Sequence, residues 1–128
     1  KNNALTYKND EYNFTLKIPA SWEGKYTVKK GNWNPAAELS YDFQFVHNGK
    51  EICNIFSINI LDGESDESDD LGPMEFIASQ DGKTFALTKI MEIPQEFMED
   101  EELSKVQDEF TEMVNGEVPE IIETFSFE

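Results

Sequence analysis

The segment from Leu39 to Leu61 constrains the fold most. Leu39, Tyr41, Phe43 and Phe45 alternate with Ser40, Asp42 and Gln44, the period of a half-buried β-strand. The run ends at Asn48-Gly49, the pair that best supplies the two positive φ angles of a type I′ hairpin turn. The return strand, residues 51–61, is apolar on one face (Ile52, Phe56, Ile58, Ile60) and mixed on the other (Cys53, Ile55, Leu61), as expected of a central strand.

The same alternation predicts strands elsewhere. Tyr12, Phe14, Leu16 and Ile18 alternate with polar residues up to Pro19, and Tyr26 and Val28 do so over a shorter stretch. A second hairpin is expected over residues 74–90, turning at Asp81-Gly82. Together these read as an antiparallel meander. The period then changes. Leu103, Val106, Phe110, Met113 and Val114 fall on one helical stripe, with Glu102, Lys105, Asp108, Glu109 and Glu112 largely outward. Asp100 is the expected N-cap, and Gly116 the residue that ends the helix. Pro119 opens one further short turn through Ile122, and Phe125 and Phe127 predict a closing strand. A sheet with one strongly apolar face and one amphipathic helix can cover each other. The expected fold is therefore α+β: one antiparallel sheet of about six to seven strands, with one long C-terminal amphipathic helix packed on it. At 128 residues with no linker or repeat, residues 1–128 read as a single domain.

Charge excludes several functions. The chain carries 27 acids against 10 lysines and no arginine, a formal net charge of −17. Nucleic-acid binding relies on Lys and Arg to replace phosphate counterions, and anionic membrane surfaces attract basic patches. Neither partner is expected. The acids concentrate late: residues 91–128 hold thirteen acids and only Lys105. Cys53 is the only cysteine, so no intramolecular disulfide can form. No apolar run reaches membrane-spanning length, and no signal-peptide pattern is read. The chain opens on a polar stretch, Lys1-Asn2-Asn3, as a trimmed exported protein would.

Several blocks carry a resemblance. These are Tyr7-Lys8-Asn9, then Tyr12-x-Phe14-x-Leu16-x-Ile18-Pro19, then Ser21-Trp22-x-Gly24-x-Tyr26 at the start. Asp81-Gly82-Lys83-x-Phe85-Ala86-Leu87 lies in the middle, and Val118-Pro119-Glu120-Ile121-Ile122-x-Thr124-Phe125-x-Phe127 at the end. The order resembles small exported or lipid-anchored domains of Firmicutes and is similar to the PsbP/Mog1-like fold. The resemblance implies an extracytoplasmic, secreted or lipid-anchored domain with an accessory or binding role. It transfers no functional residue, because the matching positions are core or turn.

Candidate sites follow from residue chemistry. Trp33, in Gly31-Asn32-Trp33-Asn34-Pro35, lies outside every periodic segment. A tryptophan on a polar loop is either a recognition anchor or a lid folded over the core. Asn32 and Asn34 beside it offer amides to a ligand. The acidic loop presents Asp62, Glu64, Asp66, Asp69 and Asp70 as hard oxygen donors for weak Ca²⁺ binding. It does not follow the EF-hand pattern, since the sixth position from Asp62 is Glu67 rather than Gly and the twelfth is Pro73 rather than Glu. Glu38 and Asp42 are the acids considered for a carboxylate pair of the glycoside-hydrolase type. His47 with Cys53 lacks the ligand set of a zinc site. The expected function is a non-catalytic extracytoplasmic binding or accessory domain. It acts as a monomer, with no cofactor, on an unknown protein or cell-surface ligand. The alternatives are a small hydrolase and a Ca²⁺-responsive adhesion module.

Overall fold

A computed structural model describes residues 4–128; Lys1-Asn2-Asn3 lie outside the described residues. The central hairpin forms as its sequence dictates. Strands β4 (Leu39–His47) and β5 (Lys50–Asp62) pair antiparallel, and Asn48 and Gly49 take φ values of 53° and 75°. Two bulges interrupt the register. Phe43 opposes Phe56 while Gln44 opposes Asn54, which leaves Ile55 unpaired, and Ile52 is skipped in the same way. A bulge changes which residues share a face. Cys53 therefore lies opposite Phe45, on the core side, where strict alternation had placed it on the face away from Phe56.

The architecture is α+β with two antiparallel sheets, not the single sheet of six to seven strands expected from alternation. The large sheet adds β3 (Tyr26–Gly31), β6 (Glu75–Gln80) and β7 (Lys83–Lys89), in the order β3-β4-β5-β7-β6. The small sheet is β1 (Leu5–Asn9), β2 (Phe14–Ile18) and β8 (Ser126–Phe127), in the order β1-β2-β8. Nor is the large sheet a simple meander. The chain crosses from β5 to the edge, lays down β6, and returns with β7 in between. Burial explains the order: Thr84, Phe85, Ala86 and Leu87 of β7 are buried, while β6 is only partly so. The more apolar strand gains more by taking two neighbours.

One face of the large sheet is aromatic. Phe43 stacks on Phe56 at 4.3 Å. The small sheet covers one part of this face, with Tyr7 against Phe43 at 5.0 Å and Phe14 against Phe85 at 5.7 Å. Helices cover another part, with Phe110 5.2 Å from Phe45.

The helical region also departs from expectation. Asp100 does cap a helix: its Oδ1 accepts from the backbone N–H of Glu102 at 2.9 Å and of Leu103 at 3.3 Å. That helix, α2 (Glu101–Ser104), is one turn long and follows another single turn, α1 (Glu96–Glu99). The long helical segment runs over residues 107–123, as α3 (Gln107–Glu112), a π turn (Met113–Glu117) and α4 (Val118–Glu123). Gly116 lies inside the π turn and does not end the helix. Two causes are visible. Val118 and Ile121 are buried in the same core as Phe110 and Val114, so packing continues the helix past the glycine. The widened turn also places Glu117 where its Oε1 accepts the Trp22 indole N–H at 2.7 Å. Trp22, in a 3₁₀ turn (Ala20–Trp22), is itself buried.

Candidate functional site

The second face of the large sheet bears hydroxyls and amides where the first bears rings. Ser40 and Asp42 come from β4, Asn54, Ser57 and Asn59 from β5, and Thr84 and Thr88 from β7. Ser40, Ser57, Asn59 and Thr84 are fully buried. Buried polar groups need partners, and every buried side-chain N or O among the described residues has one. The partners are largely each other and two loops. Ser40 and Ser57 donate to Asp42 Oδ1 at 2.8 and 2.7 Å. Asn59 Nδ2 donates to Thr88 Oγ1 and to the Ala86 carbonyl, both at 3.1 Å.

The loop after β3 closes one part of this face. Asn34 Nδ2 donates to Asn59 Oδ1 at 3.2 Å and approaches Met74 Sδ at 3.4 Å, while its Oδ1 accepts from the Ala36 N–H at 3.0 Å. The acidic loop closes another part: the Ser65 N–H donates to Thr84 Oγ1 at 2.8 Å, and Ser79 Oγ donates to the Ser65 carbonyl at 2.6 Å.

Trp33 lies at this closure with its ring outward and is 55% exposed. Its Nε1–H donates to Asp42 Oδ1 at 3.0 Å, the oxygen already held by Ser40 and Ser57. Asp42 fits there because residue 31 is glycine; a Cβ on Gly31 would run into the Asp42 carboxylate. The exposed ring is thus tied to β4 by one solvent-exposed hydrogen bond to a carboxylate that part-buried serine hydroxyls hold. It borders a groove of about 410 Å³, lined also by Pro73, Glu75, Leu87, Lys89 and Met91. Met91 is 87% exposed. Two of the chain's largest exposed apolar side chains therefore meet in one groove.

The structure sorts the sequence-derived residues as follows. Trp33 is outward and oriented. Asn32 is exposed beside a separate shallow recess with Lys30 and Leu39. Asn34 turns inward, and its amide is occupied in holding the loop. Met91 and Pro73 were not singled out from sequence. Their signal was the one that marked Trp33: Met91 lies just beyond the strand predicted to end at Ile90, and Pro73 in a loop.

The other candidates are dispersed. Glu38 is exposed, accepting from Lys83 Nζ at 2.9 Å and from the Tyr12 hydroxyl at 3.1 Å. Asp42 serves the network above. In the acidic loop the five candidate carboxylates serve local structure: Asp62 takes Lys83 Nζ at 3.2 Å, and Glu64 the Gly82 N–H at 2.8 Å. Asp66 accepts from the Ser68 N–H at 2.9 Å, Asp69 from the Asp66 N–H at 2.8 Å, and Asp70 from the Gly72 N–H at 2.9 Å. No three His, Cys, Asp or Glu side chains among the described residues come together as a metal-binding group. His47 and Cys53 also stand apart in role. His47 Nε2 lies 4.0 Å from Glu102 Oε1. Burial, assisted by the charge of Glu96, pushes the Cys53 thiol up to about 12, which removes its thiolate at neutral pH.

No helix among the described residues is long and apolar enough to cross a membrane. Comparison of the chain with models of protein families, with characterised proteins and with solved structures gives no match in any of the three.

Proposed function

We propose that this chain is a non-catalytic binding or accessory domain, working outside the cytoplasm, whose recognition surface centres on Trp33. The observation that carries the reading is the ring itself: largely exposed, yet fixed by the Asp42 hydrogen bond at 3.0 Å. Binding energy concentrates in a few aromatic or Arg anchors, and this chain has no arginine. A preoriented ring also loses little rotamer freedom when a ligand covers it. The extracytoplasmic placement rests on the resemblance of the opening and closing segments to exported domains.

The test is capture of surface extracts and of a glycan panel by immobilised protein, wild type against Trp33→Ala. The expected result is loss of capture with an unchanged urea midpoint, since the ring is mostly in solvent. Equal capture by the variant overturns the reading. So does early unfolding of the variant, which would make Trp33 a structural lid.

A further inference from the structure

Main-chain groups in the Trp33 groove narrow the class of ligand. In the antiparallel ladder of the large sheet, β6 pairs with β7 only from Gln80↔Lys83 to Glu75↔Leu87. On its other side β7 stays paired with β5 as far as Phe56↔Lys89. The sheet therefore has a notch where β6 has not yet begun and β7 continues. Backbone groups of successive residues in a strand point to opposite neighbours. The Ile90 N–H donates to the Ile55 carbonyl at 3.1 Å, on the β5 side. Lys89, one residue earlier, thus directs its N–H and C=O away from β5 and into the notch, where no strand pairs with them among the described residues. This notch is the groove bordered by Trp33, Pro73, Glu75, Leu87 and Met91.

An unpaired strand edge flanked by apolar side chains is the geometry of β-strand addition, in which main-chain hydrogen bonds give affinity and side-chain contacts give specificity. The opposite edge strand, β3, carries Lys29 and Lys30, charges of the kind that discourage edge pairing. Charge identifies the occupant. Within the groove Glu75 and Lys89 offset each other. The chain leading into and out of the lining residues is acidic: Glu67, Asp69 and Asp70 precede Pro73 in sequence and Glu92 follows Met91, all four exposed. The chain as a whole carries −17. A second copy of this chain would meet a like-charged surface, whereas a cationic segment is drawn to it.

Building on the proposed Trp33 recognition surface, we infer that the groove receives an extended, lysine- or arginine-bearing peptide segment of a partner protein, which pairs with the open end of β7 and lays an apolar side chain on Trp33 and Met91.

A displayed library of random linear peptides tests this, selected on the intact domain and counter-selected on Trp33→Ala. Enriched sequences should carry net positive charge. Their synthetic forms should shift the Trp33 indole and Lys89 amide resonances and protect the Lys89 amide from exchange. Affinity should fall by about tenfold or more in Trp33→Ala, and should weaken on going from low salt to about 0.5 M NaCl. N-methylation of alternate peptide nitrogens should abolish binding on one phase of the alternation and spare it on the other. Acidic or neutral winners, or binding indifferent to N-methylation on both phases, overturn the inference. If no peptide is enriched but a glycan binds in a Trp33-dependent way, the peptide assignment fails and the recognition surface stands. If peptides bind equally well to Trp33→Ala, both fail.

Discussion

Phe110 is the side chain whose truncation reports most directly on how the helical layer is held. It is fully buried, stacked on Phe97 at 4.8 Å and meeting Phe45 edge-on at 5.2 Å. Phe110→Ala removes the ring's transfer free energy and leaves a cavity between α3, α1 and β4, which costs about 3–5 kcal/mol. The two aromatic contacts are part of that figure, not an addition to it. The unfolding entropy of a chain this length is about 0.27 kcal/mol/K at the usual value per residue, so the melting temperature should fall by about 11–19 °C. Urea denaturation at a fixed slope gives the free energy directly. Glu109→Ala is the control on the same turn. It removes an ion pair with Lys25 whose side chains are 36% and 43% exposed, a contact worth at most about 1 kcal/mol. Comparable losses for the two variants, or a loss below about 1 kcal/mol for Phe110→Ala, would refute the assignment of this helix face to the core.

Four further outcomes follow from named contacts. Glu117→Ala should cost about 1.5–3 kcal/mol by leaving the buried Trp22 indole N–H without its charged acceptor, while Glu117→Gln, which keeps an oxygen there, should cost about half as much or less in urea melts. Gly31→Ala should lower stability by about 1–3 kcal/mol, because the new Cβ meets the Asp42 carboxylate held by three donors, and the displaced Asp42 should alter the Trp33 indole resonance. Glu11 accepts from the Tyr41 hydroxyl and pairs with Lys30 Nζ at 2.9 Å, and these contacts lower its carboxyl below the usual range. Its contribution is present above the ordinary carboxylate pKa and lost as pH falls through the lower folded value. Burial, then the bond to Glu11, raises the Tyr41 phenol, so its contribution is lost as pH rises through the phenolic range. Tyr41→Phe should flatten both limbs of the stability profile, measured as urea midpoints against pH. Finally, Asn34→Ala should speed hydrogen exchange at the Ala36 amide, which donates to Asn34 Oδ1 at 3.0 Å, more than at the Ala37 amide, which donates to the retained Asn34 carbonyl at 3.0 Å, and leave β4 and β5 amides unchanged.

What was legible in the sequence was local. The turns at Asn48-Gly49 and Asp81-Gly82 need positive φ at both residues and have it, so both hairpins could be placed from dipeptides alone. Asp100 as a cap and the buried stripe from Leu103 to Val114 are also near-neighbour patterns. Features decided by distant residues were not legible. Strand β1 offers only Leu5 and Tyr7 as alternating apolar residues, and it forms because β2 supplies a partner from Phe14 to Ile18. The insertion of β7 between β5 and β6 depends on comparing the burial of two whole strands. The face change at Cys53 comes from an unpaired Ile55, which no period announces. Gly116 looks like a stop until Val118 and Ile121 prove to be buried beyond it. At the candidate site, the position of Trp33 outside any period could be read, but its partners could not. Asp42 is simply the polar member of an alternating strand until the fold sets Gly31 beside it.

The two faces of the large sheet are closed by different forces, and this explains why the candidate site lies where it does. On the aromatic face the covering layers are held by buried rings, each worth several kcal/mol. On the hydroxyl and amide face the covering loops are held by hydrogen bonds, each contributing about 1 kcal/mol net. Such a covering can be short and irregular, and it need not hide every apolar side chain, because it does not depend on apolar burial. A tryptophan there can face solvent without weakening the core. What it needs instead is orientation, which the strand supplies through Asp42 rather than the loop through its own packing. Serine hydroxyls hold the carboxylate and the carboxylate accepts the indole N–H, so the side chain is tied to β4 while its ring stays 55% exposed. Recognition groups on loops are usually more mobile than their scaffold. Here the loop carries the ring, but its hydrogen bond runs to the sheet through Asp42, and in the proposed reading one extended segment meets both the ring and the open end of β7.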